Sequence, residues 1–222
     1  MIKNMKTAIQ PFPIISAPII LASQSPRRRR LLEAAGLTFQ VIPSQVREED
    51  FEAQHPETYA RILAEAKADD VAEKHPESWI IGADSIVVID GQILEKPAST
   101  SDARRMMGLL SGKTHLVLTG YAIHHAGDAQ GFSDVEITEV TFKPLTDEEI
   151  EWYIQTPEPY DKAGGYAIQG LGSFMVKQIK GSYTNVVGLP VCEVLDQLYR
   201  LGVISRQSLG LNRNAAAGTC SH

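Results

Sequence analysis

Residues 18–36 read PIILASQSPRRRRLLEAAG, and this stretch decides how the chain begins to fold. The apolar run from Pro18 to Ser23 contains β-branched residues and predicts a short buried strand. A helix follows at once. Ser25 suits the N-cap, because its hydroxyl can accept a free backbone N–H, and Pro26 suits the first helical position, where no N–H is needed. Leu31, Leu32 and Ala35 make a small apolar face, and Gly36 is a natural stop. Strand, polar turn and helix N-terminus together outline a phosphate cradle. Yet Arg27 to Arg30 fill the first turn, where the helix dipole is already positive and prefers acids. Two readings fit. In one, Ser23, Ser25, Arg27 and Arg28 clamp a polyphosphate. In the other, the arginines are a solvated face paired with surface acids. Residues of one turn point in different directions, so Arg29 and Arg30 are expected to face water.

The rest of the 222-residue chain sets the bounds. With 43% hydrophobic and 22% charged residues it has the composition of a globular protein. A formal net charge of -6 argues against nucleic acid as the main ligand, which makes the arginine cluster a local exception. Two cysteines, Cys192 and Cys220, make no disulfide framework and point to a reducing, cytoplasmic setting. No apolar run reaches membrane-spanning length. Residues 1–17 are interrupted by prolines and are expected to be a flexible extension, 18–204 a single domain, and 205–222 a disordered tail.

Along the domain, Phe39 to Ser44 predicts a second strand, followed by a polar loop with Glu48. A helix is expected from about Glu57 to Lys74, with Tyr59, Ile62, Leu63 and Ala66 in a stripe. The segment WIIGADSIVVIDGQILEKP from Trp79 predicts a strand, a break at Gly82-Ala83-Asp84, a second strand through Ile89 and an Asp90-Gly91 turn. Ser101-Asp102 is read as a helix start, with an end near Gly112. Two strands then follow across a Gly/Asp turn. In the second, Val135, Ile137, Val140 and Phe142 are set against Glu136, Thr138 and Thr141. Thr146 to Glu149 has the form of a capping box. The loop DKAGGYAIQGLGS precedes a strand FMVKQIKG, and a last helix begins near Leu189-Pro190. Loose alternation with at least one hairpin predicts a mixed α/β sheet with flanking helices.

Some residues stand out chemically. Asp84 sits in an otherwise apolar run, and an unpaired buried carboxylate costs several kcal/mol (roughly). It is therefore a general base or a metal ligand reached by a kink at Gly82, or an Asp capping a strand end. Lys96, Lys67 and Glu48 are ordinary surface residues taken singly. As a set they offer two cations for phosphates and a second acid for a divalent metal. Gln169 in the glycine-rich loop offers a donor and an acceptor suited to a nucleobase edge, unless the loop is only a flexible connection. Ser111 to Thr114 (SGKT) lacks the spacing and the preceding strand of a phosphate-binding P-loop. His124 and His125 point to opposite faces and are expected to be exposed at a strand end.

The motifs LASQSPRR, GADSIV, EKP, DKAGGYAIQG and NVVGLP occur in that order and at suitable spacing. Together they resemble the Maf family of nucleoside triphosphate pyrophosphatases, from about Ile19 to Leu201. The resemblance implies a twisted mixed β-sheet with flanking helices and two lobes around a central cleft. It implies hydrolysis of a nucleoside triphosphate to monophosphate and pyrophosphate with a divalent cation, Mg²⁺ or Mn²⁺. Asp84 would be the catalytic base, and Glu48 with Asp84 would hold the metal. Ser23, Arg27, Arg28, Lys67 and Lys96 would face the phosphates. Arg27, Ser85 and Gln169 match the positions that mark the family's dTTP/UTP branch. Gln24, Ser85 and Gly165 depart from the commoner residues and bear on fine substrate preference. A homodimer is implied as well, with no membrane or nucleic-acid partner. The alternatives are the same reaction on 7-methyl-GTP or another modified nucleotide, or a nucleotide-binding regulator of cell division without turnover.

Overall fold

The computed structural model of the chain describes residues 16–51, 55–127 and 130–205. The expected extension and tail, and Cys220 with them, lie outside the described residues except at their inner ends.

A seven-stranded mixed sheet runs through the molecule. β1 (Ile19–Leu21) lies parallel to both β2 (Gln40–Val41) and β3 (Trp79–Ile89). β4 (Gln92–Leu94) turns back on β3 through Asp90 and Gly91. Both turn residues have positive φ, as a type I′ hairpin requires. β5 (Thr114–His125) pairs antiparallel along the other edge of β3, followed by β6 (Gln130–Phe142) and β7 (Val176–Lys180). β1 and β4 therefore share one edge of β3. β1 pairs with residues 79–81 and β4 with 87–89, which leaves 82–86 without a strand neighbour on that side.

Alternation along β3 sorts its side chains onto two faces. Ile80, Gly82, Asp84, Ile86 and Val88 face α2 (Pro56–Ala72), which supplies Ala60, Ala64 and Ala68 to the contact. On the other face, Trp79, Ile81 and Ala83 join a core with Leu32 and with Val194 and Leu198. Leu32 belongs to α1 (Pro26–Ala34). Val87 and Ile89 join a second core on that face. α3 (Thr100–Leu110) and α4 (Asp147–Ile154) cover this core, which also takes in Leu94, Val117, Val140, Phe142, Tyr166 and Met175. Ser85 falls between these two apolar clusters. α5 (Tyr183–Val187) and α6 (Val191–Arg200) follow, and α6 carries Val194 and Leu198.

The local signals at α1 and α4 hold. The Ser25 hydroxyl accepts the Arg28 N–H, Pro26 opens α1 and Gly36 follows it at φ 80°. Thr146 and Glu149 form the full capping box.

Other expectations need correcting. β3 is unbroken, so Gly82 is not a kink. It is where α2 touches the sheet. A Cβ at Gly82 would lie 2.8 Å from the Ala68 nitrogen and closer still to the Ala64 carbonyl oxygen. One at Gly120 would lie 2.7 Å from the Arg61 nitrogen and inside the Ala60 carbonyl. Only two of the six residues expected in β2 pair. α3 is capped by Ser99, whose hydroxyl accepts the Asp102 N–H, rather than starting at Ser101. In β6, Ile137 is 39% exposed while Thr138 is buried, because Thr138 turns toward Asn185 and Ser182. His124 and His125 are not both exposed. His125 is buried against Trp79, and His124 meets Asp69 of α2.

Two measurements follow. Gly120→Ala should lower stability by about 1–3 kcal/mol through overpacking under α2, read by urea denaturation. His115 is buried between Phe142 and Tyr166, with Nε2 2.8 Å from the Tyr166 hydroxyl. Burial pulls its pKa from the ordinary 6.5 down to about 4. The unfolded chain therefore takes up a proton that the folded one refuses. The stability from this group is complete above 6.5 and is lost as pH falls toward 4. Between pH 7 and 5 the wild type should lose about 2 kcal/mol more than His115→Gln, measured on the same denaturation curves.

Candidate active site

The unpaired edge of β3 opens onto a cavity of about 660 Å³. Ser23, Arg27, Arg28, Glu48, Lys67, Asp84, Ser85, Lys96 and Gln169, the candidates singled out from sequence, all line it. They arrive from six places in the chain. β1 ends at Leu21 and delivers Ser23 and the N-terminus of α1, while β3 delivers Asp84 and Ser85 just past its last pairing with β1. α2 brings Lys67, and a short 3₁₀ turn (Glu48–Asp50) brings Glu48. Ligands of open α/β sheets favour such a place, outside the ends of parallel strands where the topology switches.

On the α2 face, the Lys67 ammonium donates to Asp84 Oδ1 at 2.6 Å and to Glu48 Oε1 at 2.7 Å. Lys67 and Asp84 are both buried, and Glu48 is half-exposed toward the cavity. Burial works to raise the Glu48 carboxyl, but the hydrogen bond and charge of Lys67, with the charges of Lys96 and Arg28, hold it below its usual range. Among the described residues no group of three or more His, Cys, Asp or Glu is placed to hold a metal ion. The two carboxylates still fit one kind of cation. Lys67 engages one oxygen of each, which leaves the other as a ligand. Mg²⁺ is commonly bound by one or two carboxylates, with phosphates and waters completing its shell.

On the opposite face, Arg28 is fastened to the protein. Nε donates to the Gly188 carbonyl at 2.7 Å, Nη1 to the Ala83 carbonyl at 2.9 Å and to Ser23 Oγ at 3.2 Å, and Nη2 to Ser85 Oγ at 3.1 Å. The Ala83 carbonyl points along the open edge of β3, so the guanidinium stands in for the missing strand. Burial pulls the Arg28 pKa down, opposed by the charge of Asp84. Its acceptors are all neutral, so it presents an uncancelled charge with few free N–H groups. Ser85 continues the chain of contacts to Thr119 Oγ1 at 2.8 Å.

The four arginines part company. Arg27 Nη1 donates to Asp161 Oδ2 at 2.9 Å. Arg29 pairs with Glu33 one turn on, and Arg30 is exposed. Lys96 is exposed at the cavity rim, with no hydrogen-bond partner among the described residues. Gln169 Nε2 donates to the Tyr183 hydroxyl at 3.2 Å.

Sequence reading missed several contributors. Asp161 and Lys162 line the cavity from the start of the glycine-rich loop, where no local motif marks them. Asn185 is fully buried, and its amide donates to the carbonyls of Val117 and Glu136 and to Thr138 Oγ1. Gly188 contributes a carbonyl. NVVGLP carries a C-cap signal at this glycine, but nothing local says that its carbonyl meets an arginine 160 residues away.

Residues 18–201 match the Maf family, described as Maf-like protein. The dTTP/UTP pyrophosphatase of Halalkalibacterium halodurans is 50% identical over 189 residues, covering 85% of this chain and 98% of that protein. That of Geotalea uraniireducens is 50% identical over 186 residues, covering 84% and 96%. Among solved structures, the Staphylococcus aureus Ham1 protein is similar at a TM-score of 0.43 and 13% identity, covering 72% of this chain and 79% of that one.

Lys67→Met removes the only hydrogen-bond partner of the buried Asp84 carboxylate among the described residues. It should cost about 3–5 kcal/mol of stability, with part regained in Lys67→Met/Asp84→Asn, as measured by chemical denaturation.

Proposed function

The chain belongs to the Maf family, and from that premise we propose that it hydrolyses dTTP and UTP to the monophosphate and pyrophosphate. The observation that carries this reading is the buried Asp84. It is held by Lys67 at an unpaired strand edge, in a cavity lined by further cations. The relatives' name supports the substrate class, and Arg27, Ser85 and Gln169 stand where that branch carries its specificity residues.

The reaction needs a water activated beside the α-phosphorus and a place for negative charge. Asp84 Oδ1 is taken by Lys67, which orients the carboxylate and leaves Oδ2 with two lone pairs, one to accept the water's proton and one to face a cation. The new bond is from water oxygen to the α-phosphorus. The bond broken is between that phosphorus and the α–β bridging oxygen, which departs with its electron pair on pyrophosphate. Lys96 and the fixed charge of Arg28 offset the negative charge that builds up there, while Lys67 is committed to Asp84 and Glu48. This is catalysis by positioning and electrostatics, the usual logic at phosphorus. A divalent cation, Mg²⁺ or Mn²⁺, held by Glu48 and Asp84, would supply Lewis-acid charge to the phosphate oxygens. The α1 N-terminus, with Ser23 and the positive end of the helix dipole, suits the phosphate chain.

Three further points belong to the same reading and rest on the family resemblance. They are two lobes meeting at the cavity, a homodimer, and a place in the cytoplasm. No helix among the described residues is long and apolar enough to cross a membrane.

The test follows pyrophosphate release from a panel of triphosphates, with and without Mg²⁺ or Mn²⁺. Release is expected from dTTP and UTP ahead of 7-methyl-GTP. Preference for 7-methyl-GTP would overturn the substrate class, and no release from any triphosphate would overturn the enzyme. Asp84→Asn should lose at least about 10²-fold in kcat while still binding nucleotide. Residual activity near wild type would mean another base.

A further inference from the structure

The backbone on either side of Gln169 is tied to two side chains, Tyr153 and Glu158, neither of which lines the cavity. The Tyr153 hydroxyl accepts the Ala167 N–H at 3.2 Å and donates to Glu158 Oε1 at 3.0 Å. Oε1 also accepts the Gly172 N–H at 2.7 Å, and Oε2 accepts the Leu171 N–H at 3.0 Å. Three backbone N–H groups flanking Gln169 thus end on one pair of phenol and carboxylate. Tyr153 is fully buried, and burial, then the charge of Glu158, push its pKa up, so the phenol keeps its proton. The turn closes tightly on this pair. Gly170 has φ 104°, and a Cβ there would run into Glu158 Oε2, while one at Gly172 would lie 2.9 Å from the Tyr153 hydroxyl oxygen. Gln169 itself is exposed at the cavity. Among the described residues its side chain has one hydrogen bond, from Nε2 to the Tyr183 hydroxyl. The aim of its amide is therefore set by the backbone that carries it.

We propose that Glu158 is a positioning residue for substrate selection, which with Tyr153 holds residues 167–172 in the shape that aims the Gln169 amide at the nucleobase. The inference rests on the pyrimidine triphosphatase reading above and adds what fixes the reader in place. Uracil and thymine present an oxygen at C4 beside an N–H at N3, and cytosine reverses that pattern. An amide meets such a pair only at bonding distance and close to the plane of the ring. A shift of about 1 Å in the turn forfeits that geometry. A carboxylate suits the anchor because it is acceptor-only, and all three groups that reach it are donors. In Glu158→Gln one oxygen becomes an NH₂ group that faces a donor, so part of the anchor is lost without a change of shape.

The experiment is a double-mutant cycle of Glu158→Gln with Gln169→Ala. Two readouts are taken: kcat/KM for dTTP against dCTP, and inhibition by inorganic tripolyphosphate, which has no base. Glu158→Gln should lower the dTTP/dCTP preference about tenfold, with tripolyphosphate inhibition within about twofold of wild type. In the Gln169→Ala background the same change should leave the preference where Gln169→Ala alone puts it, because both act through one amide. Glu158→Asp keeps the charge and both acceptor oxygens and should restore part of the preference. If Glu158→Gln does not fold, Tyr153→Phe, which loses only the hydroxyl, carries the same cycle. A merely structural role would lower both substrates equally and weaken tripolyphosphate as well. That outcome, losses that multiply in the double variant, or a preference within twofold of wild type overturns the proposal. Failure of the pyrimidine reading shows separately, as wild type releasing no pyrophosphate from dTTP or UTP. The cycle is then read on whichever triphosphate wild type cleaves or binds, and binding of none overturns both.

Discussion

The site depends on one buried ion pair, Lys67 Nζ to Asp84 Oδ1 at 2.6 Å. A carboxylate in the middle of an apolar strand is tolerable only if a cation reaches it. The ammonium comes from a helix lying flat on that strand, and the helix can lie so close only where the sheet has no side chains. Gly82 and Gly120 provide the two bare spots. Gly120 is the cross-strand partner of Asp84 itself. The alanines of α2 complete the contact from above. Small residues on both surfaces thus set the height at which Lys67 enters. The same seating carries Lys67 on to Glu48, so one cation orders two acids.

The opposite face follows a matching logic. β1 and β4 leave an interval of β3 unpaired, and an exposed strand edge is costly unless something answers its polar groups. Arg28 answers one of them from the first turn of α1. Its other contacts to Gly188, Ser23 and Ser85 fix its position without cancelling its charge. Four arginines at the positive end of a helix are poor design for the helix alone. Arg28 is placed there by the sheet gap, Arg27 by Asp161, and Arg29 by Glu33.

Local chemistry was legible where structure is decided within a few residues. Ser25, Pro26, Asp90-Gly91 and Thr146 with Glu149 all do what their neighbours imply. Asp84 stood out because a charge in an apolar run needs a reason. Gly82 misled because a strand glycine signals a bend unless the helix above it is known, and that helix is a tertiary fact. Thr138 and Ile137 misled for a similar cause. A buried amide from Asn185, 47 residues on, reverses the faces that hydropathy assigns. Asp161, Gly188 and Asn185 went unread because their partners lie across the fold, whereas the nine candidates that line the cavity declared themselves by charge or motif. The 3₁₀ turns and the five-residue α5 are too short to leave a periodic trace.

The reach of Arg28 also orders events in time. Its partners lie 5, 55, 57 and 160 residues away, so the pocket is closed by a contact that almost the whole chain must be made to supply. A nascent chain that has emerged through β5 already holds Asp84, Lys67 and Arg28, but it still lacks Asn185 and the Gly188 carbonyl. Contacts of such long separation form late, after the local ones. One donor of the arginine therefore stays on water through most of synthesis, and the pocket takes shape only once the last helices come down.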